Sequence, residues 1–286
     1  MAMFSITGRD YEMLQDILRG QEMRRSIASV LMLMMSIFFC TAVSAGDTAE
    51  INTGIITGRL VIKGVGPMMG GTVFFFNEAS GPPPSATKYW RVPTEVFRVD
   101  ENAGFTAILP EGKYYMGAIE RNTGELLGPP QEGDYFFISQ DKKGKPRKYT
   151  VKKNATLDLG IISGAKPFKR TTLVKKGITA IEGSILNEKG EPAHGMLVFA
   201  FATPTMVGRP LFVSERSDKD GKYLLRLYRG GKYYLRARAN YGGGPPSADE
   251  VMGIYKDGKP ISIKTGQARK GIDVTVARVG VTEQPQ

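Results

Sequence analysis

The chain has 286 residues, of which 41% are hydrophobic and 23% charged, with 35 glycines, a single histidine, a single cysteine and a formal net charge of +11. This length holds two ordinary domains, each with its own core, and the glycine content signals many turns. One histidine and one cysteine exclude a two-histidine zinc centre and any disulfide framework.

Residues 1–22 fit no export logic and read as a doubtful upstream extension, with Met23 as the initiator. Residues 23–45, MRRSIASVLMLMMSIFFCTAVSA, pair two arginines with a short apolar stretch and a small-residue ending, the pattern of a helical signal peptide cleaved after Ala45. An uncleaved N-terminal membrane anchor is the alternative, because apolar segments of this length suit either role. Phe38 and Phe39 before Cys40 argue against a lipidation site. Cleavage removes Cys40 and leaves no membrane span, which places the protein in the periplasm, on the cell surface or outside the cell.

From residue 46 onward the signals are strand signals, and they occur twice. The tetrapeptide GKYY stands at Gly112 to Tyr115 and again at Gly231 to Tyr234. Each copy follows a polar turn, DENAG or SDKDG, and a strand-like run with one apolar parity: Phe105, Ala107 and Leu109 in the first, Tyr223, Leu225 and Leu227 in the second. The strand after each GKYY alternates too. Tyr114, Met116 and Ala118 match Tyr233, Leu235 and Ala237 on the inner face, with Tyr115, Gly117 and Ile119 expected outside. Earlier runs agree, TGIITGRLVIKG with ITAIEGSILNEKGEP and GTVFFFN with GMLVFAFA. Later ones do as well, GPPQEGDYFFISQDKKGKP with GPPSADEVMGIYKDGKP and NATLDLGI with RKGIDVTV. Order preserved over such a distance marks an internal duplication. Short strands with Gly-rich turns predict an all-β chain of two tandem antiparallel β-sandwiches. The expected boundaries are residues 46–163 for the first, 164–176 for a basic linker, 177–280 for the second and 281–286 for a C-terminal tail.

Charge is unevenly spread. Residues 142–176 carry 12 Lys or Arg against 1 acid, while residues 46–141 carry 7 against 12. The stretch is either a solvated closing strand and linker or an anchoring strip for a polyanion or an acidic protein.

The succession G-x-[LI], KGEPAHGMLVFAF, SDKDGKYLLRL and RGGKYYLRARA resembles the carboxypeptidase regulatory-like family of transthyretin-like β-sandwiches. The residues that carry it are Gly183, Gly190, Pro192, Gly195 and Val198, then Asp220, Gly221 and Tyr223, then Gly231, Tyr233 and Ala237. The first copy matches through Gly58, Gly71, Val73, Asp100, Gly104, Phe105, Gly112, Tyr114 and Ala118. There KGVGPMMGG replaces EKGEPAHG, and the turn before Phe105 reads as one residue short. The resemblance implies a non-catalytic extracytoplasmic module, an accessory or adhesion-like unit, and related starch-binding modules keep sugar recognition open.

Chemistry is sparse. His194 lies in a turn without a nucleophile elbow, neither DENAG nor SDKDG continues into an acidic ligand run, and YGGGPP does not lead into a phosphate-cradling helix. No catalytic, cofactor-binding or metal-binding residue is expected. Two surfaces are candidates for ligand binding. One is the outer stripe Lys232, Tyr234, Arg236 and Arg238, a plain solvated sheet face or, on the sharper reading, a surface for anionic groups on a polymer. The other is Tyr89 and Trp90 in a Pro-flanked loop, able to stack on a sugar or to cap the core. The sequence thus describes an exported, non-catalytic binding or scaffolding protein whose partner is an extracytoplasmic protein or an anionic polysaccharide. A neutral glycan held by Trp90 and Tyr89 is the alternative, and export argues against nucleic acid.

Overall fold

A computed structural model describes residues 52–123, 127–247 and 249–280; the expected upstream extension, the expected signal segment with Cys40 and its cleavage site, and the tail 281–286 lie outside the described residues. The first half contains β1 (Thr53–Ile62), β2 (Gly66–Pro67), β3 (Thr72–Asn77), β4 (Trp90–Arg91), β5 (Glu95–Arg98), β6 (Gly104–Pro110), β7 (Gly112–Glu120), β8 (Tyr135–Ile138), β9 (Lys148–Val151) and β10 (Thr156–Pro167). The second contains β11 (Thr179–Asn187), β12 (Leu197–Phe201), β13 (Phe212–Val213), β14 (Lys222–Leu227), β15 (Gly231–Arg238), β16 (Val251–Ile254), β17 (Ile261–Ile263), β18 (Ala268–Arg269) and β19 (Val274–Arg278). Three short 3-10 turns complete the described elements, so the chain is all-β.

Each half folds its strands over one core, and the two follow one plan. In the first, β1 lies between antiparallel β6 and parallel β10, and β10 leads through β8 to β7, β3 and β5, with β9 on the start of β7. In the second, β11 lies between antiparallel β14 and parallel β19, and β19 leads through β16 to β15, β12 and β13, with β17 on the start of β15. The pairing of first with last strand is parallel in both, within an otherwise mainly antiparallel arrangement. Inner parities meet as the alternation requires. Ile56, Leu60, Phe105 and Leu109 face Val73, Phe75, Tyr114 and Met116 in one core, and Ile181, Ile185, Tyr223 and Leu225 face Val198, Ala200, Tyr233 and Leu235 in the other. Burial of this apolar surface is the main stabilising contribution to each half.

The duplication reaches atomic detail. The Tyr114 hydroxyl donates to the Pro110 carbonyl at 2.9 Å, and the Tyr233 hydroxyl to the Arg229 carbonyl at 2.9 Å. Both GKYY tyrosines therefore enter the core and tie back the turn four residues upstream, which explains why the motif recurs. The polar turns correspond as well. Asp100 Oδ1 accepts from the Asn102 and Gly104 amides, and Asp218 Oδ1 from the Asp220 and Lys222 amides. Both carboxylates are thus engaged by backbone donors. Asp218, not Asp220, is the counterpart of Asp100, so the turn before Phe105 is not short. Ala103 there takes the left-handed conformation (φ 60°) that Gly221 takes in the second copy (φ 72°).

Two expectations are altered. β10 continues to Pro167 and places Ala165 in the first core, while Phe168 and Leu173 join a cluster with Leu197, Phe199 and Val213 of the second half. The stretch 164–176, expected as a basic linker, thus contributes side chains to the packing of both halves. Tyr115 and Ile119, expected outside, are buried with Phe74, Phe76 and Ile138 in a further apolar cluster. The runs TVFFFN and LVFAF are buried along almost their whole length because both faces of those strands are covered.

Candidate functional site

Residues 78–94 leave the first sandwich between β3 and β5, which are themselves paired neighbours, and return after crossing to the second. At the far point β4 adds to the second sheet, Trp90 opposite Val213 and Arg91 opposite Phe212. Arg91 holds this strap in shape. Its guanidinium donates to the carbonyls of Pro82 and Asn77 at 2.5 Å each and to Ser80 Oγ at 3.1 Å, above the Phe76 ring at 5.4 Å. Burial pulls its pKa down to about 10.

The strap carries Tyr89 and Trp90, and of the two roles open to them, stacking on a sugar or capping a core, the structure shows core packing. Tyr89 is part of the second core, edge-on to Phe212 at 5.6 Å, with its hydroxyl donated to the Pro83 carbonyl. Trp90 sits edge-to-face with Phe136 at 6.0 Å and Phe168 at 5.8 Å, and its Nε1 points at Glu215 Oε1, 3.5 Å away. Glu215 also accepts from Arg226 at 2.8 Å. Both aromatic side chains are 6% exposed, so packing between the halves accounts for their positions.

The four-residue stripe on β15 is not one surface. Lys232 is exposed, Tyr234 and Arg236 are half-buried and Arg238 is buried. Arg238 meets Glu250 through two hydrogen bonds of 2.7 and 2.6 Å and donates to the Gly242 and Gly244 carbonyls at 3.0 and 2.8 Å. Its charge is engaged inside the fold, beneath residues 242–244. That engagement, outweighing burial, holds the Glu250 carboxyl below its ordinary value. Arg236 lies over the Phe201 ring at 5.4 Å, its Nε buried without a hydrogen-bond partner. Burial, with Arg238 nearby, lowers its pKa.

Lys142, Lys143 and Lys145 are exposed on the β8–β9 turn, and Gly144 and Pro146 of that turn line a groove of about 550 Å³ whose two lining lysines are Lys176 and Lys88, beside the half-exposed ring of Tyr228. Lys88 comes from the strap, and sequence order gave no sign that it joins this group. His194 is exposed at the rim of a separate 390 Å³ cleft, where Arg121 and Arg216 donate to the loop carbonyls of Pro129 at 2.8 Å and Ala239 at 3.0 Å. Among the described residues there is no group of three or more His, Cys, Asp or Glu placed to hold a metal ion, and no helix is long and apolar enough to cross a membrane.

No protein-family model matches the chain, and no curated protein does. Solved structures of partial similarity include the Bacillus anthracis TIE protein (14% identity, 79% of this chain and 34% of that one, TM-score 0.26). Two more are a streptococcal ancillary pilin (10%, 79% and 63%, TM-score 0.23) and a variant of the shaft pilin SpaA from Lactobacillus rhamnosus GG (10%, 80% and 99%, TM-score 0.22). The chain spans about a third of the first of these and under two thirds of the second.

Proposed function

We propose that this is an exported, non-catalytic binding or scaffolding protein of the cell envelope or extracellular space, which associates with an anionic polymer or an acidic protein through its basic surface. The observation that carries the reading is the groove lined by Lys176 and the strap's Lys88 beside Tyr228, with Gly144 of the exposed turn that bears Lys142, Lys143 and Lys145 on its wall. Clustered, solvated ammonium groups attract carboxylate or phosphate groups over a Debye length, and an exposed ring offers a stacking face. Membership of the carboxypeptidase regulatory-like family belongs to the same proposal and is supported by the turn-and-tyrosine pattern shared by both halves. Sugar recognition through Trp90 and Tyr89 is not part of it, because both rings serve the packing between the halves.

The test is binding of fluorescently labelled oligogalacturonate to the protein and to a variant with Lys88, Lys142, Lys143 and Lys176 changed to Ser. These exposed substitutions leave the fold intact. At low salt the variant is expected to bind about tenfold more weakly or worse, since each lost charge contributes a few tenths to about 1 kcal/mol. Equal affinity of the two proteins would remove the groove from the account.

A further inference from the structure

The two sandwiches differ at one matching place. In the second, β13 pairs with β12 on one side and receives β4 on the other. In the first, the corresponding strand β5 pairs with β3, and among the described residues no strand adds to its other edge. Beside β5 a cleft of about 750 Å³ opens between the halves, walled by Val92 to Val96 on one side and by Met206 to Arg209, Tyr241 and the Gly242 to Pro246 loop on the other. Val207, 80% exposed, and Val96 give it an apolar rim. Arg236 lines the same cleft, and among the described residues it has no hydrogen-bond or ion-pair partner. Arg209 is spanned to Glu95 at 3.6 Å, and Arg98 stands exposed on β5 itself.

We infer that the open edge of β5 and this cleft dock an extended, acidic segment of a partner protein, added as a strand in the way β4 adds to β13. Three properties fix the kind of partner. An open strand edge offers main-chain donors and acceptors that an extended chain satisfies residue by residue. The Val96 and Val207 rim accepts an alternating apolar side chain. The guanidinium of Arg236, partly desolvated and without a hydrogen-bonding partner, accepts a carboxylate in a charge-assisted pair. The inference names a surface apart from the basic groove and does not depend on it.

Amide NMR titrations of the ¹⁵N-labelled protein with the probe peptide acetyl-Val-Glu-Val-Glu-Val-amide test it. The Gln counterpart of that peptide, and polygalacturonate, serve as the other arms. The acidic peptide is expected to shift amides of residues 95–98, 206–209 and 241–246, and Arg236→Gln is expected to weaken it about tenfold. Val96→Pro, which removes an edge donor, should abolish it while amides of the second core stay in place. Should Val96→Pro disturb the fold, Arg236→Gln alone decides, since its side chain makes no hydrogen bond that the fold loses. Equal binding of the Gln peptide, shifts confined to residues 142–153 and removed by the four-lysine variant, or cleft shifts with polygalacturonate but not with the peptide would each overturn the inference. Concentration-dependent dimerisation that occludes these amides without added peptide would do the same, assigning the edge to a second copy.

Discussion

Arg238 and Glu250 form a buried ion pair, and the fold tolerates the loss of either partner poorly. Their side chains are 6% and 1% exposed, and taking away one partner leaves a buried charge without its counter-ion. Arg238→Gln is expected to cost about 3–5 kcal/mol in denaturant unfolding, against a few tenths at most for Lys232→Gln on the exposed end of the same strand. The pH dependence follows from the direction of the Glu250 shift. Its folded pKa lies below the ordinary value, chiefly because Arg238 hydrogen-bonds the carboxylate. The pair's contribution is therefore fully present above about pH 4.3, the unfolded value, and is lost as pH falls through the lower folded one. In Arg238→Gln that acid-side loss should shrink or reverse. Strand parity groups Arg238 with Arg236 and Lys232. What parity cannot show is that the carbonyls of Gly242 and Gly244 and the carboxylate of Glu250, twelve residues on, meet the Arg238 guanidinium.

Among the elements, the strap is the one with most consequence and least signature. The strands on either side were readable because a period of two survives wherever one face is buried, as in Phe105, Ala107 and Leu109, or Tyr233, Leu235 and Ala237. GPPPSATKYWRVP has no period, and prolines beside an aromatic pair look alike in an exposed loop and in a crossing strap. A hint was present elsewhere: TVFFFN and LVFAF are continuous apolar runs, which marks strands covered on both faces, and something had to cover them. Because Tyr89 fills part of the second core, Tyr89→Ala should destabilise the protein by about 3–5 kcal/mol. Tyr89→Phe, which removes only the hydroxyl donated to Pro83, should cost about 1 kcal/mol. Urea unfolding followed through Trp90 fluorescence measures both, since Trp90 sits where the halves meet. Near-identical costs would mean that the ring does not pack against Phe212 as described.

For the whole molecule, duplication and divergence divide the work. Turn chemistry and inner faces are kept between the copies, which gives each half its own interior. The exteriors differ, and that is where a binding role has room: the first copy supplies the strap and a β5 edge to which no strand adds among the described residues, and the second accepts the strap and adds the other wall of each cleft. The sequence carried the duplication, the sandwich interiors and the charge excess of the 142–176 stretch. It did not carry the grouping of Lys88 with that stretch, because the strap places together residues far apart in order. The most direct test of the central claim is the salt dependence of oligogalacturonate binding, set beside a neutral dextran of similar length. A multivalent cationic groove predicts that affinity falls steeply between about 0.05 and about 0.5 M salt as screening shortens the reach of the lysines, that the four-lysine variant shows a shallower fall, and that dextran does not bind. Affinity that is indifferent to salt, or equal for dextran, would contradict it.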